Sequence, residues 1–203
     1  MEKSKCCNAI IMRKGKVFPF FGGFYCLACG KDISAKSFPY MKEKIKNNFV
    51  KTPKKITEAL LKHESFDGGI LEPSCGDGAI SRILIKNGFE VKSSDKFDYG
   101  YGEIKDLFEI TNTHANIITN PPFTQQQAVK KHLLSITKKK LALLWYVKNL
   151  GNEIETKTSK NLKVVYVFNK KIEWVETKLG WLFAWYIWEK GYEGDVIIKR
   201  IDY

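Results

Sequence analysis

At 203 residues the chain has room for one medium α/β domain plus a small module, and its 44% hydrophobic content is that of an ordinary globular protein. The formal net charge of +12, from 34 basic and 22 acidic residues, points to a polyanionic partner and argues against a protein substrate. No N-terminal apolar stretch has the length of a signal peptide and the aromatic run 181–188 is too short to span a bilayer, so no membrane partner is expected.

Only Arg13, Arg82 and Arg200 are arginines. Bidentate guanine readout is therefore scarce, and the lysines act as point contacts to phosphate, with salt-sensitive binding of modest sequence discrimination.

In chain order, four of the five cysteines come first: Cys6, Cys7, Cys26 and Cys29. The run Cys26-Leu27-Ala28-Cys29-Gly30-Lys31 has the form of a zinc knuckle, in which a tight turn aims two thiolates at one metal. The adjacent Cys6 and Cys7 lack the usual two spacer residues, so either both ligate with a different backbone geometry or another group replaces one of them. Disulfides are the alternative, disfavoured for a chain without an export signal. Residues 1–33 are read as a zinc-ribbon-like module whose structural Zn²⁺ supplies much of its folding free energy, and residues 34–48 as a basic connector.

From residue 49 the pattern becomes that of an α/β domain running to residue 203. Thr52-Pro53 precedes a helical pattern of Ile56, Ala59, Leu60 and His63, with His63 read as a helix-face residue. The run Ile70-Leu71-Glu72 ends in an acid and enters Pro73-Ser74-Cys75-Gly76-Asp77-Gly78, where two glycines let the backbone approach a ligand and a following helix offers free N–H groups to it. Asp95, at the end of the next strand pattern, stands one helix and one strand beyond Gly78, which puts a carboxylate where a ribose diol would lie. Cys75 is read as a packing residue.

The spacing predicts strands over 69–71, 90–94, 116–119 and 141–145, with helices over 79–86 and 126–137 between them. Alternation of this kind gives a Rossmann-like, doubly wound, mainly parallel sheet, with ligands beyond the carboxyl ends of its strands. The tail carries strand patterns over 164–168, 181–188 and 196–201, the last two expected to form an antiparallel hairpin. Trp181, Trp185 and Trp188 read as residues of a strand buried on both faces, in preference to a nucleic-acid stacking platform. Residues 148–163 read as a mobile loop near the site.

The run Ile117-Ile118-Thr119 stops in Asn120-Pro121-Pro122-Phe123. Two prolines cannot donate to a sheet ladder and each fixes its own φ, so the chain leaves the sheet in one stiff direction.

With these residues in place the chain resembles the S-adenosylmethionine-dependent adenine-N6 methyltransferases of DNA, in a compact, phage-like form. Phe49-Val50-Lys51-Thr52-Pro53 resembles their N-terminal cofactor element, Glu72-Pro73-Ser74 with Gly76 and Gly78 their glycine-rich motif, and Asp95 their ribose-binding acid. Asp106-Leu107-Phe108 resembles the element that reads the cofactor adenine, and Asn120 to Phe123 matches the catalytic tetrapeptide. The resemblance implies S-adenosylmethionine as cofactor, held by Phe49, Thr52, Pro53, Glu72, Pro73, Ser74, Gly76, Gly78, Asp95, Asp106, Leu107 and Asn120. It implies catalysis by Asn120, Pro121, Pro122 and Phe123. It also implies methyl transfer to the exocyclic amine of adenine in a flipped or unpaired base.

RNA adenine is the alternative substrate, because the 2′-hydroxyl is sensed away from the tetrapeptide. Methylation of a protein glutamine and an inactive nucleic-acid-binding module are the remaining readings. There is no room for a large target-recognition domain between Asp106 and Asn120 or after Trp145. Target choice therefore falls to the zinc module and the 148–163 segment, to short specificity, or to a partner protein. The expected compartment is the cytoplasm of a bacterium or of a phage-infected host.

Overall fold

The computed structural model describes residues 49–155, 160–172 and 182–203. The zinc-ribbon reading and its four cysteines, the connector and Trp181 lie outside the described residues.

The first helix among the described residues, α1 (Lys54–His63), begins after Pro53, whose extended backbone caps it, and buries Ile56, Thr57, Ala59 and Leu60 along one stripe. After it come β1 (Ile70–Glu72), α2 (Ala79–Lys86), β2 (Val91–Asp95), the two-residue β3 (Glu103–Ile104) and a short 3₁₀ helix (Leu107–Glu109). Then follow β4 (His114–Thr119), α3 (Gln126–Ile136), β5 (Thr137–Tyr146), α4 (Asn149–Glu155), β6 (Leu162–Phe168), β7 (Phe183–Glu189) and β8 (Ile197–Ile201).

The strands form one eight-stranded sheet in the order β3-β2-β1-β4-β5-β7-β6-β8. Adjacent strands from β3 through β5 pair parallel, and β8 pairs parallel with β6. Strand β7 is antiparallel to both neighbours, β5 and β6. The antiparallel C-terminal pairings are therefore β7 with β6 and β7 with β5. The hairpin expected from the turn at residues 190–195 does not form: β8 crosses over to the far side of β6.

Two apolar layers cover the sheet. Ile56 and Leu60 of α1 and Ile80 and Leu84 of α2 pack on one face, and Val129, Leu133 and Ile136 of α3 on the other. Strands β5 and β7 lie between these layers and are apolar on both sides, which is why their sequences run nearly unbroken instead of alternating. Trp185 and Trp188 are buried there as expected, with the Trp185 indole N–H donating to the Ile56 carbonyl at 3.0 Å.

Residues 149–155, expected within a loop, are helical, and the strand expected from residue 164 begins at Leu162. No helix among the described residues is long and apolar enough to cross a membrane.

Candidate active site

The order of strands reverses between β1 and β4, and in open parallel sheets the crevice at that reversal, beyond the carboxyl ends, is where ligands sit. Three expected segments converge there: the Glu72 to Gly78 turn after β1, Asp95 at the end of β2, and the Asn120 to Phe123 turn after β4.

Glu72 is 1% exposed, and its Oε2 accepts from the Ser81 backbone N–H at 2.7 Å and from the Ser81 hydroxyl. It is thus an internal brace that pins α2 to the end of β1. Burial pushes its carboxyl up to about 8, against the opposing hydrogen bonds from Ser81. Pro73 is buried and Ser74 half-buried in the turn that follows.

Gly76 and Gly78 both have positive φ, 52° and 81°. A Cβ at Gly76 would lie 2.1 Å from the Phe49 ring, and one at Gly78 2.6 Å from the Tyr101 ring, so no other residue fits either position. The glycines therefore serve close aromatic packing as well as any approach to a ligand. Phe49 stacks on Tyr99 with centroids 4.5 Å apart, and the Arg82 guanidinium lies 4.5 Å from the centre of the Tyr101 ring. The cradle is walled by Phe49, Tyr99 and Tyr101.

Asp95 Oδ2 accepts from the Gly76 N–H at 2.9 Å and Oδ1 from the Phe97 N–H at 3.0 Å. The two bonds fix this carboxylate against the glycine turn, and each oxygen keeps a lone pair for a hydroxyl donor. Asp106 caps the 3₁₀ helix through the Phe108 N–H at 3.1 Å and pairs with Lys96 at 2.9 Å, a contact that holds its carboxyl below the usual range. Leu107 beside it is buried. The Lys105 N–H donates to the Asp95 carbonyl at 2.8 Å, which draws the Asp106 segment to the end of β2.

At β4, Thr119 is fully buried and Asn120 half-buried at the mouth. Asn120 Nδ2 donates to Thr52 Oγ1 at 3.1 Å, joining the Phe49 to Pro53 segment to the tetrapeptide. With Nδ2 committed in this way, Asn120 Oδ1 is buried and has no hydrogen-bond partner. Pro121 is buried. The Phe123 ring lies 4.8 Å from that of Tyr146 and 5.8 Å from that of Phe183, so its position is set by the ends of β5 and β7.

Asn116 Oδ1 and Thr119 Oγ1 of β4 are also buried without a partner, but Asn120 Oδ1 is the one that stands at the carboxyl end of the strand, where it can accept from a ligand donor.

No protein-family model matches the chain, and no curated protein matches it. Solved structures do. A Pyrococcus horikoshii protein assigned as an RNA methyltransferase is 16% identical with a TM-score of 0.54, the match covering 70% of this chain and 87% of that one. An Agrobacterium tumefaciens protein assigned as an O-methyltransferase is 12% identical at a TM-score of 0.54, over 73% and 86%. The chain has the Rossmann-like fold that these proteins share. A Lactococcus lactis protein assigned as a hemolysin is as similar, 14% identical at a TM-score of 0.55 over 70% and 88%, so the likeness carries fold and not activity.

On this fold the structure gathers, among the described residues, nearly every one named from sequence at the carboxyl ends of the strands, Asp106 being drawn there through Lys105. It adds others that were not named. Asp77 pairs with Lys51 at 2.5 Å through Oδ2 while its Oδ1 is buried without a partner, and Tyr99, Tyr101 and Tyr146 shape the walls. The run Phe97-Asp98-Tyr99-Gly100-Tyr101-Gly102 carried that signal, since aromatics interleaved with glycines mark a loop that packs closely. Cys75, buried beside this loop with its thiol pushed up to about 12 chiefly by burial, is a packing residue. Among the described residues no group of side chains could hold a metal ion.

Proposed function

We propose that the chain transfers a methyl group from S-adenosylmethionine to the N6 amine of adenine in DNA. The observation that carries this reading is Asn120 Oδ1, a buried acceptor without a donor at the stiff end of β4.

The residues present suit the cofactor. Asp95 has free lone pairs for two ribose hydroxyls, Gly76 and Gly78 keep the backbone bare, and aromatic rings line the cradle. When bound, the cofactor supplies a methyl group activated by its sulfonium charge.

The rest is the work of this chain. The exocyclic amine of adenine is a poor nucleophile because its lone pair is delocalised into the ring. Asn120 Oδ1 and the Pro121 carbonyl accept hydrogen bonds from its two N–H groups, which draws the nitrogen towards tetrahedral geometry and localises the lone pair. Thr52 Oγ1 holds the Asn120 amide in the orientation that presents Oδ1 and not Nδ2. The two prolines keep both acceptors in one arrangement, and Phe123, backed by Tyr146 and Phe183, stacks on the extruded or unpaired base. As the nitrogen–methyl bond forms the sulfonium–methyl bond would break and release S-adenosylhomocysteine, and the methylated amine, then cationic and acidic, gives one proton to water, so no strong base is required.

The excess of lysine supports a nucleic-acid substrate. RNA is the second reading, favoured by the likeness to the Pyrococcus horikoshii protein assigned as an RNA methyltransferase. Residues 1–33 complete the proposal as a structural zinc module held by Cys6, Cys7, Cys26 and Cys29 that helps to grip the substrate. The deciding experiment digests DNA and RNA from cells expressing the chain to nucleosides. Extra N6-methyladenine in DNA is expected; its appearance in RNA alone moves the substrate, and its absence from both overturns the reading.

A further inference from the structure

The helix α4 is seven residues long, too short to hold itself together in water, and follows β5 at the same edge of the sheet as the tetrapeptide. Leu150 packs against the apolar layer that holds Val129 and Leu133 of α3, and around it run polar attachments. Asn149 Nδ2 donates to Gln126 Oε1 at 3.0 Å, Gln127 Nε2 to Glu153 Oε1 at 3.3 Å, and Lys130 Nζ to both Glu153 oxygens at 2.7 and 2.8 Å.

The ion pair at the centre of this clasp is enclosed, with Lys130 and Glu153 side chains 5% and 0% exposed. Removing two charges from water costs as much as the pair returns, so such a pair contributes little net stability compared with apolar residues of the same size. Its physical use is to fix one arrangement. The arrangement it fixes is next to the reacting centre: Gln126 opens α3 directly after residues 120–125, and Asn149 follows Tyr146, whose ring touches Phe123.

Resting on the reading of the site as a nucleic-acid methyltransferase, we infer that α4 is a wall of the opening that receives the target nucleotide, and that Lys130 and Glu153 are positioning residues that hold that wall. The pair acts through α4 on the placement of the nucleic acid. The hydrogen bonds of Lys130 and Glu153 run between α3 and α4, so the effect of the pair belongs in target binding and not in the methyl-transfer step or cofactor affinity.

The test compares wild type with Lys130→Met, Glu153→Gln and the double variant Lys130→Met/Glu153→Leu, which removes both charges and leaves neither buried alone. Four quantities are measured: KM and kcat on an adenine-containing single-stranded oligonucleotide, affinity for S-adenosylhomocysteine, melting temperature, and hydrogen exchange of the α4 amides. The double variant is expected to keep its melting temperature and S-adenosylhomocysteine affinity. It should lose protection in α4 and raise the oligonucleotide KM about tenfold or more with kcat within about threefold of wild type.

If the single variants raise KM only in proportion to lost stability and the double variant restores both, the pair is structural and the inference falls. An unchanged KM with α4 unprotected also overturns it. A wild-type chain that methylates neither DNA nor RNA oligonucleotides removes the underlying function, an outcome distinct from an active wild type indifferent to the clasp.

Discussion

Truncating Asn120 to alanine separates stability from turnover in a way that the site geometry quantifies. In the folded chain the buried, partnerless Oδ1 is a standing cost of about 1 to 3 kcal/mol, and the 3.1 Å bond from Nδ2 to Thr52 returns about 0.5 to 1.5 kcal/mol. Alanine removes both. The net change in unfolding free energy therefore lies between a loss of about 0.5 and a gain of about 2.5 kcal/mol. Turnover moves the other way: deleting one preorganised polar contact made as the amine becomes tetrahedral costs about a hundredfold to a thousandfold in rate. Urea unfolding gives the first quantity, and single-turnover transfer of labelled methyl from saturating S-adenosylmethionine gives the second. An Asn120→Ala chain that methylates within about threefold of wild type refutes the catalytic role. One that loses more than about 2 kcal/mol refutes instead the reading of Oδ1 as an unpaired acceptor, which would then not be a cost.

Asp95→Ala should weaken S-adenosylhomocysteine binding by about 1.5 to 3 kcal/mol in titration calorimetry, the scale of hydrogen bonds to a charged group; unchanged affinity moves the ribose contact elsewhere. Burial raises the Glu72 carboxyl from 4.5 to about 8, so the folded chain keeps a proton that the unfolded chain gives up across that window, and stability falls as pH rises through it. Glu72→Gln has no such proton to lose and should gain on wild type between pH about 6 and about 8.5 in chemical denaturation; parallel curves contradict the assignment. Elemental analysis of the purified chain should find about one zinc ion per molecule, lost in Cys26→Ser with S-adenosylhomocysteine binding spared. A metal-free wild type would overturn the zinc module.

The parallel half of the sheet was legible because its information is local. An apolar run ending in Glu72, glycines at 76 and 78, and prolines at 121 and 122 each specify a strand end by backbone chemistry alone, and helices separate them at regular spacing. The C-terminal half was not. Residues 183–189 and 197–201 look like neighbours because a glycine-bearing turn joins them, yet the partner of β7 is chosen by the apolar faces of β5 and β6, a fact of packing that no local window contains. Helix α4 was missed for a related reason: its seven residues carry little apolar periodicity, and the groups that dock it, Gln126, Gln127 and Lys130, lie on another element. At the site, Asn120 could be named from its motif, but the feature that gives it meaning, one amide end satisfied and the other vacant, exists only once Thr52 is brought across from the segment that precedes α1.

The antiparallel strand also sets an order of events as the chain is made. Leu141 of β5 and Leu162 of β6 both pair with Trp188, so these two strands never pair with each other and wait for a segment synthesised after both. Until residues 183–189 arrive, β5 presents an unpaired edge with Leu141, Ala142, Leu143, Leu144 and Trp145 in succession, the kind of apolar edge that recruits other chains. Insertion of β7 is a long-range closure, slow compared with the local βαβ steps before it. A chain stopped before residue 183 should thus be prone to aggregate, whatever its N-terminal two thirds have already formed.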